Sequence, residues 1–293
     1  MTDQAFDVVC TSQDRETWEK ERLTGVGSSD APCVLGISRF KSPFAIYAVK
    51  IGADDSKIDP MLSKWGHRCE PFVLEDFVEE TGREAELHGE LIRSRERPWQ
   101  TATLDATQAG KHRPGPGILE IKSTTVGDNW TDGVPLEHQI QVQHQLAVTG
   151  WQWASIAVIV FQYGYHFYWQ DIERDESLIS LINKTEEEFW FEHVKKGIPP
   201  PPDGFASTTE ALKKLYPTDN GETISLPHDL HEADLERVDI DSQLKDLKAK
   251  RTLIDNRLKA AIGEATTGLL GDVTYTYRAD KNGRRTMRRV ERG

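Results

Sequence analysis

The feature that most constrains the fold is a run of short strand-like segments between two long helical patterns. Residues 87–93, 100–106 and 117–123 have strand character and are separated by turn-forming residues, among them Pro114-Gly115-Pro116-Gly117. A helix is predicted before them at residues 65–81, and another after them at residues 135–149. Because a sheet buries its apolar face against helices, we predict an α/β (α+β) core with a central mixed sheet flanked by helices.

Further elements extend this core in both directions. Residues 14–50 are predicted to be helical with one break at Gly25-Val26-Gly27-Ser28-Ser29-Asp30, whose short polar side chains can cap a helix start. After the second long helix, two strands are predicted at residues 153–162 and 165–172, and an amphipathic helix at 175–196. This order of elements is typical of an α/β or α+β core.

A proline run divides the chain. Pro199-Pro200-Pro201-Pro202-Asp203-Gly204 fits neither a helix nor an interior strand, so it is interpreted as a semi-rigid linker. We therefore predict a core at residues 1–198, a linker at 199–204 and an extension at 205–293.

The extension is predicted to contain a helix at residues 229–262 with one apolar stripe, then a basic β-hairpin at 273–290 turning at Lys281-Asn282-Gly283. Two interpretations stay open for it. In the first, which we favour, the helix completes a core and the hairpin clamps DNA; in the second, the stripe is an oligomer surface.

Composition narrows the class of protein but selects no activity. The net charge of −12 argues against a protein that simply coats nucleic acid, although residues 278–293 carry seven basic side chains against two acidic ones. The N-terminal residues fit no signal or transit peptide, and the longest apolar run, at 154–161, is too short to cross a bilayer. Cys10, Cys33 and Cys69 lack paired spacing, which indicates reduced thiols. We expect a cytoplasmic protein without a membrane partner.

The strongest chemical signal joins Asp105 to Glu120-Ile121-Lys122 on the next predicted strand. Alternate side chains of a strand share one face, so Glu120 and Lys122 point the same way, and a hairpin brings Asp105 beside them. Two carboxylates with the main-chain carbonyl of Ile121 form an all-oxygen site suited to Mg²⁺, and a lysine can help an adjacent water attack a phosphodiester. An isolated E-x-K is more often a solvated strand face with a weak ion pair. The second strand and the flanking helices favour the metal site.

Two further residues fit the same cleft. Glu70 is placed near the start of the helix at 65–81, where it either binds metal or simply complements the helix dipole. Gln141 shares a helix face with His138 and Gln145 and either orients the attacking water or belongs to an ordinary polar face.

Five motifs in order carry a family resemblance. They are Arg22 with Gly25-Val26-Gly27-Ser28-Ser29-Asp30-Ala31, Trp65-Gly66 with Glu70-Pro71, Leu104-Asp105, Leu119-Glu120-Ile121-Lys122, and Gln141-Val142-Gln143. Across about residues 15–200 the chain resembles the YqaJ-like viral recombinase family, relatives of phage lambda exonuclease among the PD-(D/E)XK nucleases. One departure is that Leu104-Asp105-Ala106 stands where the family commonly has Pro-Asp-Gly.

The resemblance implies a restriction-endonuclease-like core and a Mg²⁺-dependent exonuclease, with Mn²⁺ as a substitute, that degrades linear duplex DNA from 5′ to 3′ and leaves 3′ single-stranded tails. It implies metal binding by Glu70, Asp105, Glu120 and the Ile121 carbonyl, with Lys122 as the catalytic lysine and Gln141 assisting. It also implies that Arg22, Ser28 and Ser29 hold the 5′-terminal phosphate. Exposed amides at a serine-capped helix start beside an arginine independently suit an anion.

The resemblance further implies partners: double-stranded DNA ends, a single-strand annealing protein and other copies of the chain in a ring-like trimer. Two alternatives stay open. One is a structure-specific endonuclease on the same core, and the other is a non-catalytic DNA-binding protein whose carboxylates bind no metal.

Overall fold

A computed structural model describes residues 4–54, 60–126, 130 and 133–291. The helices are α1 (Arg15–Arg22), α2 (Ala31–Val34), α3 (Pro43–Lys50), α4 (Pro60–Thr81), α5 (Leu136–Thr149), α6 (Glu176–Glu188), α7 (Ala206–Leu215) and α8 (Leu230–Ile262). The strands are β1 (Phe6–Thr11), β2 (Val26–Gly27), β3 (Glu84–Leu87), β4 (Glu90–Ser94), β5 (Gln100–Thr103), β6 (Ala106–Ala109), β7 (Pro116–Thr124), β8 (Trp153–Val160), β9 (His166–Glu173), β10 (Thr267–Leu270), β11 (Val273–Ala279) and β12 (Arg285–Glu291). No helix of the described ranges combines the length and apolarity needed to span a bilayer.

The chain divides into two compact units, Met1–Asp219 and Asn220–Gly293. The first unit contains a five-stranded sheet in the order β3-β6-β7-β8-β9, in which β7 and β8 are parallel and the other pairs are antiparallel. The predicted mixed sheet is therefore confirmed. Every residue of β8 is buried, as expected for a strand covered on both faces.

Two helices cover the two faces of β7 and β8. On one face, Val73 and Phe77 of α4 belong to an apolar cluster with Leu119 and Ile121. On the other face, Val142 and Leu146 of α5 belong to a cluster with Ile118, Ile156 and Val158. Because strand side chains alternate, Glu120 and Lys122 lie on the α5 face, while Ile121 packs under α4.

The strands predicted at 87–93 and 100–106 lie mainly in a second sheet, of order β1-β4-β5-β2, so the three predicted strands do not all belong to one sheet. The predicted strand at 100–106 is broken at Leu104-Asp105, where the chain leaves β5 in this sheet and enters β6 in the five-stranded sheet. The neighbouring chain changes sheet at the same level, from β3 in the five-stranded sheet to β4 in the second sheet. Between these two strands, the amides of His88 and Gly89 donate to the carbonyls of Asp105 (2.9 Å) and Leu104 (3.1 Å). Asp105 thus lies at the bend between two sheets.

The boundary of the first unit also differs from the prediction. Beyond the proline run, α7 packs against α3: Ala211 joins a buried cluster with Phe44 and Ala48, and the hydroxyl oxygens of Ser42 and Thr208 are 2.7 Å apart. The division follows Asp219 rather than residues 199–204. The prolines preclude helix locally, but the apolar face of the next helix still returns the chain to the core.

Several element boundaries differ from the predicted ones. The helix predicted at 65–81 begins at Pro60 and continues through Pro71, so Glu70 lies in its middle and the helix-dipole interpretation of Glu70 is wrong. The helix predicted at 175–196 ends in a π-helical turn at Phe189–Val194. β1 and β10 had no predicted counterpart.

In the second unit, β10, β11 and β12 form an antiparallel sheet, and the predicted turn at Lys281-Asn282-Gly283 is confirmed. α8 contains no buried residue, and only near its end do Leu258 and Ile262 become half-buried. The favoured interpretation of the stripe as completed core is therefore wrong for most of α8. Arg292 of the basic tail lies outside the described residues, and the DNA clamp stays a prediction.

Candidate active site

Glu120 is the most enclosed carboxylate of the site. Its side chain is 1% exposed at the middle of β7. The amide nitrogens of Gln141 and Gln145, one turn apart on α5, donate to its two oxygens at 2.5 Å and 2.6 Å. The Lys122 ammonium forms an ion pair with it. The structure therefore brings Glu120, Lys122, Gln141 and Gln145 together, as predicted.

Asp105 joins this group from the bend between the sheets. Its Oδ2 accepts a hydrogen bond from the backbone amide of Ile121 at 2.9 Å. Burial, and then the negative charge of Glu120, raise the pKa of Asp105 well above its ordinary value. The two carboxylates are therefore neighbours, as predicted: in the hairpin of β6 and β7, Ala106 pairs with Leu119, so Asp105, one residue before β6, lies level with Glu120.

Lys122 is the cation of the group. Burial lowers its pKa, but the charges of Glu120 and Asp105 raise it by more, so the pKa of Lys122 lies above its ordinary value. Lys122 is therefore protonated at neutral pH in this arrangement. Its chemistry is that of a positive charge and hydrogen-bond donor, which suits contact with a phosphate oxygen.

Glu70 approaches from the middle of α4. Its carboxylate is half-buried and lies 3.6 Å from the imidazole Nδ1 of His67. Burial raises the pKa of Glu70, His67 opposes this, and the charge of Glu120 raises the pKa further. Glu70 thus belongs to the electrostatic environment of the site.

The donor chemistry fits a hard divalent cation. Glu70, Asp105 and Glu120 interact electrostatically, while Lys122 is the cation that acts on all three. The buried Oε1 of Gln145 has no hydrogen-bond partner among the described residues, which leaves an open acceptor beside Glu120. Excess negative charge and oxygen donors suit Mg²⁺.

The described residues nevertheless contain no ready-made cluster of three acidic, histidine or cysteine ligands. Mg²⁺ commonly binds through one or two carboxylates and keeps several waters, so a partial ligand set is sufficient for it.

A second polar cluster surrounds Arg22. Its guanidinium donates to the hydroxyl of Ser29 at 3.0 Å and lies 4.6 Å from the ring centre of Trp18. Ser29 is exposed, whereas Ser28 is buried. The structure brings Arg22 and Ser29 together as predicted and leaves Ser28 enclosed.

The predicted helix start beside this cluster is only partly correct. α2 has four residues, and Asp30 at its start makes no side-chain capping bond. Instead, Asp30 Oδ2 accepts from the amide of Gly27 at 3.1 Å and pairs with the ammonium of Lys50 at 2.7 Å. Lys50 also donates to the carbonyl oxygen of Arg22 at 2.7 Å. Asp30 and Lys50 thus fix the loop that follows Arg22 at the end of α1.

The buried pair was missed by sequence reasoning. One feature of the sequence could have revealed the pair: Lys50 ends α3 after seven residues, 43–49, that contain no charged side chain. Burial raises the pKa of Asp30, but the positive charges of Lys50 and Arg22 outweigh that effect and lower the pKa to about 2. Asp30 is therefore ionised at neutral pH.

The histidines of α5 are packed against neighbouring side chains. Burial, with the charges of Lys122 and Arg39, lowers the pKa of His138 to about 3, and its neutral ring stacks on Trp130. His144 is fully buried against Glu186 at 2.7 Å. Neither forms part of a predicted metal site.

α5 and β5 connect the two clusters. Ile140, next to Gln141, packs on Ala31, next to Asp30. The indole nitrogen of Trp18, under Arg22, donates to the hydroxyl of Thr103 at 3.3 Å, two residues before Asp105. The same rigid elements therefore position both clusters.

Comparisons with known proteins identify sequences and folds that are similar to this chain. Residues 17–152 match the model of the YqaJ-like viral recombinase domain. The uncharacterized protein YqaJ of Bacillus subtilis (strain 168) is 31% identical over 283 residues, covering 93% of this chain and 86% of that protein. The crystal structure of an alkaline exonuclease (LHK-Exo) from Laribacter hongkongensis is similar with a TM-score of 0.50 at 23% identity, covering 62% of this chain and 94% of that one. A structure of LHK-Exo in complex with dAMP has a TM-score of 0.50 at 22% identity, covering 68% and 97%.

Proposed function

We propose that this chain, which belongs to the YqaJ-like viral recombinase family, is a Mg²⁺-dependent exonuclease that degrades linear duplex DNA from its 5′ ends and leaves 3′ single-stranded tails for recombination. One observation carries the proposal: Asp105, which accepts a hydrogen bond from the Ile121 amide, lies level with Glu120, and Glu120 forms an ion pair with Lys122. The fold shared with an alkaline exonuclease supports the nuclease class.

Each residue of the site has a separate role in the proposed reaction. Glu70, Asp105, Glu120 and the Ile121 carbonyl would hold Mg²⁺, for which Mn²⁺ would substitute. A divalent ion bound there would supply an activated water and would offset charge on the phosphodiester. Gln141 and Gln145 fix the orientation of Glu120 through their amides. Lys122 offers its ammonium to a phosphate oxygen and stabilises the charge that develops there.

Family membership extends the proposal to partners. We expect the substrate to be duplex ends, the assembly to include a ring-like trimer, and a single-strand annealing protein to receive the 3′ tail.

The direct test of the function uses linear duplex DNA labelled at either 5′ or 3′ ends, together with a closed circle of the same sequence. With Mg²⁺ we expect early release of the 5′ label, retention of the 3′ label, and an intact circle. Cutting of the closed circle would replace the exonuclease by an endonuclease on the same core.

Arg22→Ala is expected to remove the preference for 5′-phosphorylated ends. Arg22 reaches Ser29, and a guanidinium with a hydroxyl is suited to a terminal phosphate. We expect digestion of 5′-phosphorylated duplex to slow about tenfold or more, while 5′-hydroxyl duplex is digested at an unchanged rate.

Arg15→Ala is the matched control for Arg22→Ala. Arg15 also lies on the ring of Trp18, at 4.5 Å, but its guanidinium pairs with Glu19 instead of Ser29. A loss of the same size in both variants would show that Trp18 packing, and not phosphate contact, explains the effect.

A further inference from the structure

α8 presents an uncovered apolar stripe. The large apolar side chains between Leu230 and Ile254 are mostly exposed: Leu230 is 45%, Ile240 46%, Leu244 58%, Leu247 59% and Ile254 55% exposed. Most stability of a helix in a folded protein comes from packing of its apolar face, so a long helix with a bare stripe indicates a missing neighbour.

The stripe follows a heptad repeat. Taking Leu230 as position a, the a positions are Leu230, Arg237, Leu244, Arg251 and Leu258, and the d positions are Ala233, Ile240, Leu247, Ile254 and Ala261. Apolar residues spaced alternately by three and four are the pattern of a coiled coil, and a polar residue at an a position selects register and partner at some cost in stability.

Charge divides α8 into opposite halves. Residues 230–243 contain five acidic side chains and one arginine, a net charge of −4, whereas residues 244–254 contain four basic side chains and one aspartate, a net charge of +3. The helix dipole favours such an order only within the first and last turns, so it does not explain the charges in the middle of a helix of 33 residues.

We propose that α8 forms an antiparallel coiled coil with α8 of a second copy of this chain. Antiparallel pairing lays the acidic half of each helix along the basic half of the other. It is an isologous contact, so one surface serves both copies. Leu258, which is half-buried within its own unit, limits the seam to about residues 230–254.

A single register uses this uncovered length. It centres the pair between Ile240 and Leu244, so that each of these residues faces the other in the second copy. The flanking e positions then pair Asp234 with Lys248, and the g positions pair Glu236 with Lys250. Arg251 faces the small Ala233, which leaves room for its side chain.

Parallel pairing of the same helices is disfavoured. It would place Arg237 against Arg237 and Arg251 against Arg251 in the seam, and it would align two acidic halves. The charge pattern therefore selects orientation as well as partner.

The test is sedimentation of the full chain with two seam substitutions, Leu244→Glu and Leu247→Glu. We expect the two substitutions together to halve the mass of the assembly. The reason is that pairing of α8 joins two copies of the assembly, of any size, that the first unit forms. The matched control is Leu235→Glu with Leu253→Glu, which are equally exposed but lie at positions f and c, outside the seam. The control is expected to keep the wild-type mass.

A charge exchange tests the orientation. Glu236→Lys is expected to weaken assembly about tenfold, because the substituted side chain repels Lys250 twice in the symmetric pair. Glu236→Lys combined with Lys250→Glu is expected to restore it. Far-ultraviolet circular dichroism checks that α8 stays helical in each variant.

Two results would overturn the proposal. If the seam and control variants have the same mass as the wild type, the stripe is covered by another surface or by a different partner, and not by a second copy. If the charge exchange fails to restore the assembly weakened by Glu236→Lys, the pairing is not antiparallel. Neither outcome depends on nuclease activity.

Discussion

Glu120→Gln is expected to abolish digestion of linear duplex DNA, with a loss of rate of at least about 10³-fold. The substitution removes the negative charge of the most enclosed carboxylate while keeping its size and an oxygen for Gln141 and Gln145. Digestion of end-labelled duplex in Mg²⁺ under single-turnover conditions measures the loss.

The same variant is expected to remain folded. Removing the charge of Glu120 relieves its repulsion of Asp105 but also takes away the ion-pair partner of Lys122, for which Asp105 remains as a counter-charge. Thermal unfolding would show a cooperative transition that begins above the assay temperature. Lys122→Ala should also abolish digestion, because the charge that stabilises the phosphate is lost.

Glu86→Gln, on exposed β3 of the same sheet, is the control and should leave digestion unchanged. Full activity in the Glu120→Gln/Lys122→Ala double variant would refute the assigned chemistry.

Asp30→Ala is expected to lower the free energy of unfolding by about 3–5 kcal/mol, because it leaves Lys50 as a buried charge without its partner. Only 3% of the Lys50 side chain is exposed. Urea denaturation at neutral pH measures the difference, and a loss below about 1 kcal/mol would contradict the account.

The effect of Asp30 also has a defined pH dependence. Its pKa is lowered from 3.8 to about 2, so its ionised form stabilises the fold at every pH above 3.8. The shift corresponds to about 2 kcal/mol, which is lost as the pH falls from 3.8 through 2. The difference between wild type and Asp30→Asn should therefore shrink over that interval.

Replacing both partners separates the buried charge from the loss of packing. Asp30→Leu with Lys50→Met removes both charges and keeps apolar volume, so we expect it to be more stable than Asp30→Ala alone. A double variant as unstable as Asp30→Ala would assign the loss to loop geometry instead.

The central strand β7 and its polar side chains were predictable because strand alternation and helical periodicity, which are both local patterns, determine which side chains share a face. Strand geometry fixes the alternation of Glu120, Ile121 and Lys122, and α5 has a continuous helical pattern. Gln141 therefore comes close to Glu120 once α5 packs on that face of β7.

The remaining differences come from interactions that act over a long distance in the chain. The break at Asp105 depends on hydrogen bonds from His88 and Gly89, and the true extent of the first unit depends on α7 returning to α3. The burial of Lys50 depends on Asp30, twenty residues earlier. Periodicity within one segment contains no information about such partners.

Binding of a divalent ion by Asp105 and Glu120 is the property on which the proposed chemistry depends most directly. Titration calorimetry with Mg²⁺ and with Mn²⁺, on wild type and on Asp105→Asn, measures this without DNA. We expect heat of binding in the wild type and an affinity lower by at least about tenfold in the variant. Equal heats in both proteins would contradict the metal site and would favour a DNA-binding protein without catalysis.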